Sequence, residues 1–108
     1  DQKVDTEKKN PKITKLDVDF GDTGACIAGG FEGKILAEGD NIGKWTMKVE
    51  NVDSTTPGAD GEILPQTSGT GITELNKLKY KTGQVGGTIE LTLEAEGTPP
   101  KTIQLACM

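Results

Sequence analysis

Hydrophobic and polar residues alternate along several short runs of this chain, and the clearest lies near its end. Ile89, Leu91, Leu93 and Ala95 interleave with Thr88, Glu90, Thr92 and Glu94, and after Glu96–Pro100 the alternation resumes with Ile103, Leu105 and Cys107. A period of two marks a half-buried strand. The five-residue link contains Gly and Pro and has hairpin length, so residues 86–107 predict an antiparallel hairpin with one apolar face. Earlier runs must cover that face. Lys12–Phe20 places Leu16, Val18 and Phe20 on one side and Lys15, Asp17 and Asp19 on the other. Lys44–Val52 places Trp45, Met47 and Val49 inward, with Lys44, Thr46, Lys48 and Glu50 outward. Ala25–Glu38 reads as a long strand, or a pair broken at Gly29-Gly30, with Phe31, Ile35 and Ala37 in one phase and Gly33 between them. A glycine inside such a pattern points to a bulge or a close backbone approach. The expected buried set is Trp45, Met47, Leu91, Leu93 and Leu105.

Between these runs, 53–71 (DSTTPGADGEILPQTSGTG) has loop composition interrupted only by Ile63-Leu64, and its length points to a functional or partner-contacting loop. Leu75 falls out of phase with Leu78 and Tyr80, which allows a short helical turn within 72–78. Residues 1–11 (DQKVDTEKKNP) are charged, with Val4 the one large apolar side chain. They predict a flexible polar arm ahead of a single all-β domain over 12–108, an antiparallel sheet or sandwich of six to eight short strands.

Composition sharpens this picture. Only 32% of the residues are hydrophobic, and Phe20, Phe31, Trp45 and Tyr80 are the only aromatics, so the core is thin; fifteen glycines suit many turns. The net charge is −5, and all twelve cations are lysines, which argues against a nucleic-acid or anionic-membrane surface. No apolar run is long enough to span a bilayer. The chain opens on Asp1, which fits a processed start or a trimmed chain. Cys26 and Cys107 are either two buried thiols of a cytosolic protein or a disulfide of an exported domain; the disulfide is the expectation, and for a thin core a decisive one.

Candidate chemistry is sparse. Without histidine, Ser–His and Cys–His nucleophiles and His-ligated metal sites are excluded, and no glycine run has phosphate-cradle spacing. Asp17 with Asp19 and Glu94 with Glu96 are i, i+2 carboxylate pairs about 7 Å apart on a strand face, a spacing glycosidases use and solvated strands carry routinely. Asp17, Asp19 and Asp22 bracket a turn, and Asp53, Asp60 and Glu62 share the long loop; either set could offer oxygen ligands to calcium, but both read more simply as acidic solvated edges. The expectation is therefore no enzyme, no metal and no cofactor.

Gly86-Gly87-Thr88-Ile89-Glu90-Leu91-Thr92-Leu93, a short turn, then Lys101-Thr102-Ile103-Gln104-Leu105, with Gly83-Gln84-Val85 before them and a cysteine near the C terminus, resembles the last sheet strands of the globular head of type IV pilins. The resemblance covers residues 72–107. It departs from that family in lacking the long apolar helix that forms the filament core. Some bacteria split the pilin into a short helical chain and a separate β-rich globular chain, and this sequence looks like the second. That resemblance implies export through the periplasm to the cell surface and a structural role in a pilus-like filament. The implied partners are a helical pilin-like chain and neighbouring copies, with Lys3, Val4, Lys8 and Lys9 of the arm as contacts. The sequence is also similar to an immunoglobulin-like sandwich, with Trp45 on a central strand, which implies an adhesion or ligand-binding module; there Cys107, on the last strand, departs from the usual cysteine placement.

Overall fold

A computed structural model describes residues 10–108. Its strands are β1 (Lys12–Asp19), β2 (Glu32–Asp40), β3 (Lys44–Asn51), β4 (Glu62–Leu64), β5 (Ser68–Thr70), β6 (Lys79–Lys81), β7 (Gly87–Ala95) and β8 (Lys101–Cys107). One turn of helix, α1 (Ile72–Leu75), precedes β6, and a 3-10 turn over Gly21–Thr23 follows β1. Two four-stranded antiparallel sheets result, in the orders β1-β2-β6-β4 and β5-β3-β7-β8. The domain is all-β, with the sheets packed as a sandwich.

The hairpin forms as its alternation dictates. β7 pairs with β8 from Gly87↔Cys107 to Leu93↔Lys101 without a register shift, and with β3 from Trp45↔Ala95 to Asn51↔Ile89. Because side chains alternate across a strand, this register stacks Met47 beside Leu93 and Val49 beside Leu91 on the inner face. Trp45, Met47, Ile89, Leu91 and Leu93 are buried from this sheet, and Leu16, Val18, Ile35, Ile63 and Tyr80 meet them from the other. Each side chain of this size stabilises by about 1.5–3 kcal/mol when fully buried. Leu75 and Leu78, brought into phase by the turn of α1, are both fully buried. The helical turn allowed at 72–78 is therefore what delivers both leucines to the core.

Three expectations need correction. Phe31 does not share the inward face with Ile35 and Ala37; it is 50% exposed. Gly29 (φ 119°) and Gly30 (φ 88°) turn the chain just before it, so the strand begins only at Glu32; of the two alternatives for Ala25–Glu38, the break at Gly29-Gly30 is the one found, with Cys26 in an isolated bridge ahead of it. The inward position in that phase is Gly33, where an added Cβ would lie 2.8 Å from the Phe20 ring and from Val18 Cγ1. Phe20 therefore fills the space that a side chain at position 33 would occupy, and packs edge-to-face on Tyr80 at 6.5 Å between ring centroids. Leu105 is only half-buried, because β8 ends its sheet and, among the described residues, no further strand pairs with it on the outer side there. The 53–71 loop is not structureless: β4 within it joins β6, and β5 joins β3.

Candidate functional site

Cys26 and Cys107 are joined in a disulfide across a sequence separation of 81. Around it, Met108 N–H donates to Cys26 O at 3.0 Å, and Ala28 N–H donates to Met108 O at 2.8 Å. The same connection is held further along, where Gly29 N–H donates to Gly83 O and the buried Thr82 Oγ1 accepts from Gly30 and Phe31 N–H at 3.1 and 2.9 Å. The β1–β2 connection is thus latched to the end of β8, closing one end of the sandwich. Nothing in the local sequence marked Thr82 for this role.

Phe31, Val52 and Met108, the large apolar residues most exposed among those described, all belong to that closed end, with exposures of 50%, 46% and 78%. Met108 directly follows the disulfide, Phe31 immediately precedes β2, and Val52 follows β3, its N–H bonded to Thr88 O beside the start of β7. At the opposite end, the β7–β8 turn meets the start of the domain: a Cβ on Gly97 would lie 2.8 Å from Pro11 Cγ, and Asn41 Nδ2 donates to Asn10 O at 3.3 Å. Lys3, Val4, Lys8 and Lys9, the expected partner contacts, lie outside the described residues.

A groove of about 590 Å³ also lies at this second end, lined by Lys44, Trp45, Thr46, Ser68–Thr70 and Glu94–Glu96. Trp45 is buried and its Nε1–H donates to Gly71 O at 3.0 Å, so the indole offers no open face for stacking. Glu94 and Glu96 both line the groove, and Glu94 pairs with Lys48 at 3.3 Å. Hydroxyls, one ammonium and carboxylates give this groove polar groups that can orient a small ligand.

Four of the six carboxylates weighed as cation ligands are engaged with backbone instead. Asp17 Oδ1 accepts from Val18 N–H and Asp19 Oδ1 from Gly21 N–H, each at 2.8 Å. Asp60 Oδ1 accepts from Asn51 N–H at 2.8 Å, and Asp53 Oδ2 from Thr88 N–H at 2.8 Å. Asn51 is buried at the centre of this set: its Nδ2 donates to Ala59 O and Gly86 O at 3.3 and 3.2 Å, and its Oδ1 accepts from Asp53 N–H at 2.9 Å. The acidic loop is therefore knotted to the sheet by its own polar side chains. Among the described residues no group of three or more Asp, Glu, Cys or His is placed to hold a metal ion. Tyr80 OH donates to Asp60 O at 3.0 Å. Burial, then the charge of Asp60, pushes its pKa up to about 12.

Among the described residues no helix is long and apolar enough to cross a membrane, and the disulfide is compatible with an exported protein. No protein-family model matches the chain, and neither does any curated protein or any solved structure.

Proposed function

We propose that this chain is an exported structural subunit, the globular surface part of an extracellular pilus-like filament assembled with a separate helical pilin chain and neighbouring copies. The observation that carries the reading is the distribution of contact-capable surface. One end of the sandwich is closed by a disulfide and gathers Phe31, Val52 and Met108, while the chain enters the domain at the other end, at Pro11. A block with contact surfaces at opposite ends suits heterologous, repeating assembly, and its cross-link suits life in an oxidising space. The pilin-like final hairpin points the same way. The arm carries Lys3, Lys8 and Lys9 beside Asp5 and Glu7, so its contribution to assembly is electrostatic and weakened by salt.

Antibodies against this chain, imaged by immunogold electron microscopy on the cells that make it, are expected to decorate surface filaments along their length. Removing Asp1–Lys9 is expected to lower incorporation without changing the thermal midpoint of the isolated domain. Label confined to the cell interior, or filaments unaltered when the gene is deleted, would overturn the proposal. The groove beside β3, β5 and β7 supports a second reading, an immunoglobulin-like module that binds a polar ligand there. Retained filaments together with loss of binding to a hydroxyl-rich surface ligand on Thr46→Trp substitution would favour it.

A further inference from the structure

The start of the sequence alternates charged with uncharged residues: Asp1, Lys3, Asp5 and Glu7 against Gln2, Val4 and Thr6. That is the period of a strand with one face fit to be covered, and Val and Thr favour strands. Asn10-Pro11, a pair that starts turns, follows. The structure fixes where that pair lies. A Cβ on Gly97 would meet Pro11 Cγ at 2.8 Å, so the chain enters the domain beside the β7–β8 turn, where β8 begins.

A sheet edge starts at that point. The strands that end the two sheets are β1, β4, β5 and β8. β4 and β5 are three residues each, and β1 has a register shift between Ile13 and Lys15 and exposes Lys12, Lys15, Asp17 and Asp19. Short length, irregularity and charge are the usual protections of an edge. β8 is seven residues long, in unbroken register with β7, and uncharged after Lys101. Its far end is covered, since Cys26 bridges Cys107 in parallel and Met108 bonds to Cys26 and Ala28. Over residues 101–105 no described strand pairs with its outer side. Met108 turns its backbone groups away from β7, while Thr88 O accepts from Val52 N–H on the β3 side. Such groups alternate along a strand, so Ile103 and Leu105 ladder with Leu91 and Ile89, and Thr102 and Gln104 direct theirs outward. Ile103 and Leu105 pack against the core and yet stay half-buried.

We propose that residues 2–6 of the same chain dock antiparallel on this edge, with Val4 opposite Ile103. The direction follows from the entry point, because a chain passing back from Pro11 along the edge runs against β8. The register follows from charge. Gln2 covers Leu105, Thr6 lies beside Lys101, Lys3 stands opposite Gln104, and Asp5 opposite Thr102. On the outer face Gln104 ends the row Glu50–Glu90–Gln104, in which two carboxylates stand directly opposite each other, and Thr102 ends the row Lys48–Thr92–Thr102. Lys3 therefore brings a cation to the acidic row, and Asp5 an anion to the row of Lys48. With Val4 opposite Leu105, Asp5 would join the acidic row and Lys8 would face Lys101. With Val4 opposite Lys101, Asp1 would join the acidic row and Lys3 the row of Lys48. A slip of one residue would turn Lys3 and Asp5 toward the core. The pairing stops at Gln2, since Asp1 would reach Ala106, where the Cys26 segment closes the edge. The docked strand brings one large apolar side chain, so it opens locally, far more readily than the domain unfolds. The arm thus shields the edge of the free chain from strand addition and can still leave it for a partner, with the thermal midpoint of the domain unmoved. This inference stands apart from the filament reading.

The test uses the full chain with its disulfide intact, by nuclear magnetic resonance in dilute solution. Val4 and Ile103 form a non-hydrogen-bonded pair in this register, with Cα atoms about 4.5 Å apart, so an Hα–Hα Overhauser contact is expected between them. In a mixture of isotope-labelled and unlabelled chains that contact is expected only within a chain. Asp5→Pro removes the N–H that Thr102 O accepts. It is expected to erase the contact and to speed amide exchange at Thr102 and Gln104 on the order of tenfold, with Ile103 and Leu105 unchanged. Lys3→Glu and Lys9→Glu alter the net charge equally, but only Lys3→Glu sets a third carboxylate beside Glu50 and Glu90, so it alone is expected to loosen the arm. All these substitutions precede the domain, so none tests its folding. Absence of the contact, its appearance between chains, exchange unaltered by Asp5→Pro, or equal loosening by Lys9→Glu would overturn the proposal.

Discussion

Replacing both cysteines, Cys26→Ala with Cys107→Ala, removes the cross-link without leaving a buried thiol unpaired against a new polar group. The bond closes a loop of 81 residues. In the chain-entropy treatment that loop restricts the unfolded ensemble by about 15 cal/mol/K, or about 4.5 kcal/mol at room temperature. A domain of this size has a total stability of roughly 5–15 kcal/mol, so the loss is a third of it or more. With an unfolding entropy of about 0.2 kcal/mol/K for some hundred residues, the thermal midpoint is expected to fall by about 20 °C. The native state changes too, because the β1–β2 connection then loses its covalent tie and keeps its bonds to Met108, Gly83 and Thr82. Denaturant and thermal melts of the oxidised chain and the double variant measure the first effect. Amide exchange at Ala28 and Met108 measures the second, and should accelerate more than exchange at Leu91 in the centre of the sheet. A midpoint drop under about 5 °C would refute the entropic reasoning and show that the unfolded chain is already compact between the two cysteines.

Trp45→Ala is expected to cost about 3–5 kcal/mol in denaturant titrations, since it opens a large cavity and strands the Gly71 carbonyl that the indole N–H satisfies. Gly33→Ala is expected to destabilise by about 1–3 kcal/mol, because the added methyl collides with Phe20 and Val18; pairing it with Phe20→Leu should recover part of the loss. Tyr80 is the only tyrosine, so the phenolate absorbance band reports it alone, and it is expected to titrate near pH 12 in the folded chain. Its folded pKa lies above the unfolded value of about 10, so the folded state holds the proton more tightly. The corresponding stability is complete below pH about 10 and is lost as pH rises toward 12, a decline that melts of Tyr80→Phe should not share.

The final hairpin, the inward phase of β3 and the all-β class were legible in the residues themselves. Period-two alternation is a local property, and at Trp45, Met47, Leu91 and Leu93 one face of each strand had nowhere to go but inward. The two cysteines were legible as a pair for a compositional reason, a core too thin to dispense with a cross-link. Other features depended on which strands meet. Whether Phe20 or Phe31 filled the space over Gly33 was decided by the turn at Gly29-Gly30 and by the β1–β2 register, neither of which alternation encodes. Asp53 and Asp60 read as free acidic groups in a loop until Asn51, Thr88 and Tyr80 were brought against them from three other segments. Leu105 has the same local pattern as Leu91, yet only Leu91 is flanked on both sides, by β3 and β8. A strand's own sequence sets which face is apolar; its place in the sheet sets how much of that face, and which of its backbone groups, remain open.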